Sequence, residues 1–326
     1  HGQLFFSKDK NENLNKESIP GKNLVLNIDY DLQKKLYNEI YKTLAAGNLS
    51  RAAAVIQNPQ TGAVLAMVSF PTFDNNDFAT GLTEKELNNL LEQKNKPLFN
   101  RAIRGLYNPG STIKPLMGLM VLEEKIFKPN DTIKDCVSIA VPNPFNKELP
   151  HIFKNWRPEY GLFNLRKAIA NSCNVYFFTA GGGFGNIKGL GIEKIAEYLA
   201  KSLANIKLGI DLPGEEAGFL PTPEWKLQYS GENWHQGDTY NISIGQGDLL
   251  VSPLWLNGYI SAIANGGNFY KPMLAQRVID QNKNVIQVFN SEKIASLPFS
   301  QETLKEIKSD MEETVISGTA KLLQDL

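Results

Sequence analysis

Two short apolar runs in the first quarter of the chain have the composition and the flanking residues of a β-hairpin. Residues 52–56 and 63–68 consist mainly of alanine and aliphatic side chains, and the turn-forming sequence NPQTG at residues 58–62 separates them. Apolar runs joined by such a turn are typical of paired antiparallel strands. Before them, Asp29 can cap a helix in which leucine or isoleucine recurs every fourth residue, and this helix is expected to stop near Gly47.

Helical spacing replaces the strand pattern in the middle of the chain. Thr83 and Glu86 have the spacing of a capping box, and apolar residues at intervals of three to four continue to Lys201. Pro109-Gly110 interrupts this pattern, and we expect a loop over residues 141–160. The sequence therefore predicts a helical block after the hairpin.

Strands are predicted again at both ends of the chain. An apolar run at residues 24–28 precedes the first helix, and a helix near residues 254–264 leads to a strand at 274–279. Strands at the ends with helices between them indicate an α+β fold. Residues 1–24 are polar and rich in lysine and asparagine, so we interpret them as a remnant of a preceding region and residues 25–326 as the main domain.

Composition narrows the class of protein. The 326 residues, 42% of them hydrophobic, suffice for a full globular core. Lysine plus arginine equals aspartate plus glutamate, at 34 each, and no long basic run is present, which argues against nucleic-acid binding. No apolar stretch reaches the roughly 18 to 20 residues that span a bilayer. Two cysteines, Cys136 and Cys173, are too few for a disulfide framework and leave the redox compartment open.

Ser111 and Lys114 form the first candidate catalytic pair. Asn108-Pro109-Gly110 precedes the serine and an apolar run follows the lysine, so Ser111 is expected at the start of a largely buried helix. Residues three apart share a helical face, which brings Lys114 within reach of the serine hydroxyl as a base. Residues 7–10 match the same S-x-x-K pattern, but in a polar segment that cannot bury a lysine. The alternative for Ser111 is a plain helix cap.

Ser172-Cys173-Asn174 is the second candidate element and the only S-x-N sequence in the chain. Serine and asparagine also favour helix ends, so an ordinary loop is the alternative. With three histidines, one of them terminal, and no G-x-S-x-G sequence, a Ser-His-Asp triad is disfavoured. The glycine-rich run at 181–185 fits no nucleotide-binding pattern, and we interpret it as a flexible loop.

Together, Ser111-Thr112-Ile113-Lys114 and Ser172-Cys173-Asn174 resemble the first two active-site motifs of the penicillin-binding protein and serine β-lactamase superfamily. Longer segments are similar to class B penicillin-binding proteins, and the similarity covers most of residues 22–320. These segments are TGAVLAMVS at 61–69, NRA at 100–102, GIDLPGE at 209–215 and SIGQG at 243–247. The sequence WHQGDT at 234–239 is most like the elongation-type members.

The resemblance implies a transpeptidase fold, with an antiparallel sheet and a helical subdomain, and a peptidoglycan D,D-transpeptidase activity. Ser111 would attack the penultimate D-alanine carbonyl of a stem peptide, and Lys114 would be the base. Ser172 would relay protons to the leaving amine, and Asn174 would hold Lys114 and a substrate amide. For Lys114 to act as a base, its pKa must fall from about 10.4 to near 7, for which we expect burial and a second nearby cation.

The third motif of the family, K-[ST]-G, does not occur in the sequence. Ser317-Gly318-Thr319-Ala320 follows an isoleucine and resembles the segment that precedes the third motif in family members. We therefore expect residues 1–24 to be the end of a non-catalytic pedestal region and the transpeptidase domain, 25–326, to be truncated before its last strands. Such a piece is expected to be impaired or inactive, since the third motif supplies part of the oxyanion hole.

Some elongation-type relatives bind zinc near the active site through two aspartates, a histidine and a cysteine. Asp135 and Cys173 lie where two of these ligands would be, whereas Asn155 and Tyr160 replace the others. Two ligands do not make the four-coordinate site of structural zinc, although Cys136 or His151 could substitute. We therefore expect neither a metal nor another cofactor.

The resemblance also implies a cellular setting. A protein of this family would be anchored in the cytoplasmic membrane by an N-terminal helix, with its catalytic domain in the periplasm. Its partners would be peptidoglycan stem peptides, β-lactams, the scaffold protein MreC and a membrane glycosyltransferase of the elongation machinery. The alternatives are a serine β-lactamase, a β-lactam sensor or scaffold that is acylated without turnover, and a structural domain.

Overall fold

Strands lie towards both ends of the chain and helices fill most of the middle, as predicted for an α+β fold. The computed structural model describes residues 21–143 and 148–325, so the S-x-x-K match at residues 7–10 lies outside the described residues. The strands are β1 (Asn23–Leu26), β2 (Ala52–Gln57), β3 (Val64–Phe70), β4 (Ile133–Val141), β5 (His151–Phe163), β6 (Asn268–Tyr270), β7 (Ala275–Ile279), β8 (Val285–Val288) and β9 (Lys293–Ser296). The helices are α1 (Tyr30–Ala46), α2 (Asn76–Thr80), α3 (Glu84–Glu92), α4 (Lys114–Glu123), α5 (Leu165–Ala170), α6 (Asn174–Gly182), α7 (Ile192–Lys201), α8 (Pro223–Ser230), α9 (Gln236–Ser243), α10 (Pro253–Ala264) and α11 (Gln301–Ile316).

The strands form small antiparallel sheets. In the described part of the chain, β1, β7 and β8 make a three-stranded sheet in the order β1-β7-β8, and β2-β3, β4-β5 and β6-β9 make pairs. No helix within residues 21–143 and 148–325 combines the length and the apolar character needed to cross a membrane.

The predicted N-terminal hairpin is confirmed as β2 and β3, which pair from Ala52 opposite Phe70 towards the turn. Alternate residues of β3 are buried, which is the burial pattern of a strand with one face against the core. Helix α1 lies against this strand, where the Gln33 side chain donates to the carbonyl oxygen of Met67 and accepts from its backbone N–H, each at 2.8 Å. Asp29 caps α1 as expected.

The loop predicted over residues 141–160 is wrong for residues 151–160, which lie in β5, whereas residues 142–143 and 148–150 lie outside the strands. Strands β4 and β5 form an antiparallel hairpin, in which Ile133 pairs with Phe163 and Val141 with His151. Only part of β4 faces the core, and nearly all of β5 is exposed or half-buried. Because β5 carries many polar and charged side chains, the apolar alternation that marks a strand is weak there.

Helices α4 and α6 form the centre of the core. Every residue of α4 from Lys114 to Val121 is buried. The flexible loop predicted at residues 181–185 is wrong for its first two glycines, which lie in the last turn of α6. A Cβ added at Gly181 would be 1.8 Å from the Oγ of Ser243 at the end of α9. Glycine is therefore required here for close helix packing.

Candidate active site

Ser111 lies on a one-turn 3-10 helix, Gly110–Ile113, that leads directly into α4. The backbone N–H of Gly110 donates to the carbonyl oxygen of Gly245 at 2.8 Å, and a Cβ at Gly245 would be 2.2 Å from the Gly110 oxygen. Both glycines have positive φ, +57° and +72°. This close backbone contact fixes the turn and leaves the Ser111 side chain exposed at the start of the buried helix.

Ser172 occupies the position that ends α5. Its N–H donates to the carbonyl of Ile169, and the N–H of Cys173 donates to that of Ala168. These two bonds define a Schellman motif, whose left-handed residue is usually glycine. Ser172 adopts φ +55° there, a conformation that is costly for a residue with a Cβ. The segment is therefore a helix end, which was the alternative interpretation of Ser172-Cys173-Asn174. It differs from an ordinary helix end because a serine replaces the usual glycine.

A chain of hydrogen bonds joins the four predicted site residues. Lys114 Nζ donates to Asn174 Oδ1 at 2.7 Å, to Ser172 Oγ at 2.9 Å and to Ser172 O at 2.8 Å. The Ser172 hydroxyl in turn donates to Ser111 Oγ at 2.8 Å. No hydrogen bond between described residues joins Lys114 directly to Ser111. The direct contact that the three-residue spacing suggested is thus replaced by a path through Ser172.

Lys114 is 1% exposed, and this burial lowers the pKa of its ammonium from the ordinary 10.5 to about 7. The three oxygens that accept from Nζ are uncharged, so no carboxylate among them holds the proton on the lysine. The ring of Phe177 lies 5.5 Å from Nζ. Burial is the cause of this shift, and a contribution from a second cation stays a prediction.

The four residues lie in or directly beneath a cleft of about 330 Å³. Its lining residues are Ser111, Trp156, Ser172, Asn174, Ile244, Gln246 and Thr319. Ile244 and Gln246 belong to the SIGQG segment, and Thr319 to the S-G-T-A segment, so the resemblance pointed to both regions without assigning them to the cleft. Trp156 had no such signal, because it lies in the stretch that we interpreted as a loop.

The two cysteines form a disulfide that borders the cleft. Cys136 on β4 and Cys173 are fully buried, with Cα atoms 5.9 Å apart. The sulfur of Cys173 is therefore bonded to carbon and sulfur and is not a thiolate that could bind zinc. The sequence left this pairing undetermined, since nothing in it placed residues 37 positions apart side by side.

The other positions compared with zinc ligands make hydrogen bonds within the protein. Asp135 Oδ1 accepts from the backbone N–H of Gly161 at 2.7 Å, and Asn155 Oδ1 accepts from the backbone N–H of Asn174 at 2.9 Å. Tyr160 is 75% exposed. In the part of the chain that the structure describes, no group of three or more histidine, cysteine, aspartate or glutamate residues is arranged to hold a metal ion.

Comparisons with known proteins identify the family to which the chain belongs. Residues 52–325 match the family described as the penicillin binding protein transpeptidase domain, and the chain belongs to this family. The family prediction is thereby confirmed, and the antiparallel α+β fold agrees with it.

The relatives that the chain resembles include a peptidoglycan D,D-transpeptidase and two PBP2 structures. The chain is 34% identical over 258 residues to the peptidoglycan D,D-transpeptidase MrdA of Acinetobacter baumannii, which covers 79% of this chain and 36% of the relative. The structure of Pseudomonas aeruginosa PBP2 in complex with WCK 5153 is similar with a TM-score of 0.76 and 30% identity, over 94% of this chain and 66% of that one. Helicobacter pylori PBP2, solved in a complex with MreC, has a TM-score of 0.72 and 30% identity, over 89% and 49% of the two chains. The chain thus spans little more than a third of the length of the MrdA relative.

Proposed function

We propose that the protein containing this chain is a peptidoglycan D,D-transpeptidase that cross-links stem peptides during cell elongation through an acyl-enzyme on Ser111. The observation that carries the proposal is the hydrogen-bonded path from buried Lys114 through Ser172 to exposed Ser111. Such a path joins a nucleophile to a base whose pKa lies near neutral pH, which is what acyl transfer to a serine requires. The name of the MrdA relative, a peptidoglycan D,D-transpeptidase, supports the same reaction, and the resemblance of the WHQGDT segment to elongation-type members supports the role in elongation.

Acylation begins when a proton leaves Ser111. With Lys114 protonated, the hydrogen bonds run from lysine to Ser172 to Ser111. Once Lys114 is neutral, both hydroxyls can rotate, so that Ser111 donates to Ser172 and Ser172 donates to Nζ. The Ser111 oxygen then bonds to the carbonyl carbon of the penultimate D-alanine while its proton passes along this path to Lys114.

The same path returns the proton in the next step. The bond between the carbonyl carbon and the terminal D-alanine nitrogen breaks, and that nitrogen takes a proton from Lys114 through Ser172. An amine of a neighbouring stem peptide then attacks the ester, gives up a proton to the path, and forms the cross-link while Ser111 recovers its hydrogen. Asn174 holds Lys114 through Oδ1, and we assign its amide nitrogen to a carbonyl of the substrate.

The experiment is intact-protein mass spectrometry after incubation of the full-length protein with a penicillin. We expect an adduct that disappears in Ser111→Ala and persists in Ser7→Ala, a matched control at the other S-x-x-K sequence. An adduct that survives Ser111→Ala would overturn the site and favour a structural role for this serine. Formation of cross-linked product from stem peptides, with slow hydrolysis of the penicillin adduct, separates a transpeptidase from a sensor without turnover and from a β-lactamase.

We propose that the catalytic domain works in the periplasm, attached to the cytoplasmic membrane by a segment outside the described residues. The Cys136–Cys173 disulfide supports this location, because disulfides persist in oxidising compartments. MreC and a membrane glycosyltransferase are the proposed partners. The Helicobacter pylori complex supports MreC, and co-purification of the full-length protein with MreC from cross-linked cells tests it. Absence of MreC from such preparations would contradict the proposal.

A further inference from the structure

The β4–β5 hairpin contacts the residues on both sides of Ser172. One contact precedes the serine and two follow it, so that the hairpin touches three of the four residues from 171 to 174. The contacts are a hydrogen bond from Trp156 Nε1 to Asn171 O at 3.3 Å, the disulfide Cys136–Cys173, and a hydrogen bond from Asn174 N to Asn155 Oδ1 at 2.9 Å.

This segment supplies every acceptor of the Lys114 ammonium that the structure describes. Two of these oxygens belong to Ser172 and one to Asn174, within 2.7–2.9 Å of Nζ. Ser172 also keeps a left-handed backbone that a residue with a Cβ retains only when its surroundings fix it. A relaxation of this backbone would move the Ser172 oxygens away from both Lys114 and Ser111.

We propose that the β4–β5 hairpin is a positioning element for the proton path, and that Asn155 and the Cys136–Cys173 disulfide hold Ser172 in line between Lys114 and Ser111. This inference rests on the proposed function of Ser111. The N-cap residue of α6 is Cys173, whose Sγ accepts from Tyr176 N. Asn155, which lies on β5, adds a second acceptor at the start of this helix. Asn155 and Cys136 touch none of the reacting atoms and act through Ser172 and Asn174.

The test compares two asparagines that accept similar hydrogen bonds at helix starts. Asn155 Oδ1 accepts from the first residue of α6 at 2.9 Å, and Asn164 Oδ1 accepts from Lys167 N in α5 at 3.0 Å. Asn164 is not among the residues that line the cleft. The variants Asn155→Leu and Asn164→Leu of the full-length protein therefore lose equivalent helix-capping bonds, but only the first loses a contact to the segment around Ser172.

Stopped-flow fluorescence measures acylation by a fluorescent penicillin and gives two constants, the rate constant at saturating penicillin and the dissociation constant of the initial complex. The melting temperature of each variant is measured separately. We expect Asn155→Leu to lower the saturating rate constant about 10- to 100-fold, as misplacement by around an ångström does, with the dissociation constant within about 2-fold. Asn164→Leu should have a lower melting temperature and an unchanged saturating rate constant. Asn155→Asp, which retains the acceptor, should restore most of the rate.

The disulfide is tested by the double variant Cys136→Ala with Cys173→Ala in the same assay. A decrease in the saturating rate constant of at least about 5-fold is expected, and an unchanged rate would overturn the role of the disulfide. Equal effects of Asn155→Leu and Asn164→Leu, or no rescue by Asn155→Asp, would overturn the role of Asn155. If the unmodified protein forms no adduct on Ser111, the proposed function itself fails. This result is distinct from the failure of the role of the disulfide or of Asn155.

Discussion

The buried Lys114 makes acylation depend on pH in a defined direction. Its side chain is 1% exposed, and burial lowers its pKa from 10.5 to about 7. This difference corresponds to a preference for the neutral amine of roughly 5 kcal/mol. Because the folded pKa is the lower one, the neutral base that acylation needs is populated as the pH rises through about 7.

The size of the effect follows from the titration. With a pKa of about 7, the neutral fraction of Lys114 rises from about one tenth at pH 6 to about nine tenths at pH 8. If the neutral amine is the base, the second-order rate constant for acylation by a penicillin rises about 10-fold over this range and then levels off. Stopped-flow fluorescence with the full-length protein between pH 5.5 and 9.5 measures this profile.

Two variants serve as controls for this measurement. Lys114→Arg keeps a cation that does not lose its proton in proteins, so acylation is expected to be abolished at every pH. Lys125→Gln removes an exposed lysine just beyond α4 and should leave the profile unchanged. A flat profile between pH 6 and 8, or a midpoint near 10, would refute the assignment of Lys114 as the base.

Three further predictions follow from the same structure. Ser172→Ala removes the hydroxyl between lysine and Ser111, so penicillin acylation should slow by about 10²-fold or more, and an unchanged rate would exclude the path. Burial and nearby carboxylates raise the pKa of Asp310 to about 6, so this group stabilises the fold at low pH and its contribution is lost as the pH rises through about 6. As the pH rises from 4 to 7, the free energy of unfolding of the unmodified protein, measured by chemical denaturation, should therefore fall relative to that of Asp310→Asn. A difference between the two proteins that does not change with pH would contradict this. Gly181→Ala places a Cβ against Ser243 and should destabilise by about 1–3 kcal/mol in thermal unfolding; Gly21→Ala, with open space around it, should be neutral, and equal stabilities would contradict the packing argument.

The elements that could be predicted from sequence have local signals. The β2–β3 hairpin has two apolar runs joined by turn residues, α1 has a cap and a repeating apolar face, and α3 has a capping box. The position of Ser111 near the start of a buried helix could also be predicted, from Pro109-Gly110 and from the apolar run after Lys114. In these cases the information lies within about a dozen residues, because helix and strand periodicity is a local property.

What the sequence did not predict depends on contacts between distant residues. The β4–β5 hairpin has one largely exposed strand, so its apolar pattern is weak. The Cys136–Cys173 pairing and the bond from Asn174 to Asn155 follow only from the position of that hairpin. Similarly, Gly181 lies in α6 and its close contact with Ser243 joins two helices that are distant in sequence. The spacing of Ser111 and Lys114 gave their proximity, but the path through Ser172 required the backbone conformation of a third segment.

Mapping of the acyl-enzyme formed with a natural substrate decides whether Ser111 is the nucleophile. The full-length protein is quenched in acid during reaction with a stem peptide ending in D-alanyl-D-alanine, digested, and sequenced by mass spectrometry. We predict an ester on Ser111 that lacks the terminal D-alanine and that disappears, with formation of the cross-linked peptide, when an acceptor amine is added. No acyl group on Ser111 while cross-linked product accumulates, or an ester on another residue, would contradict it.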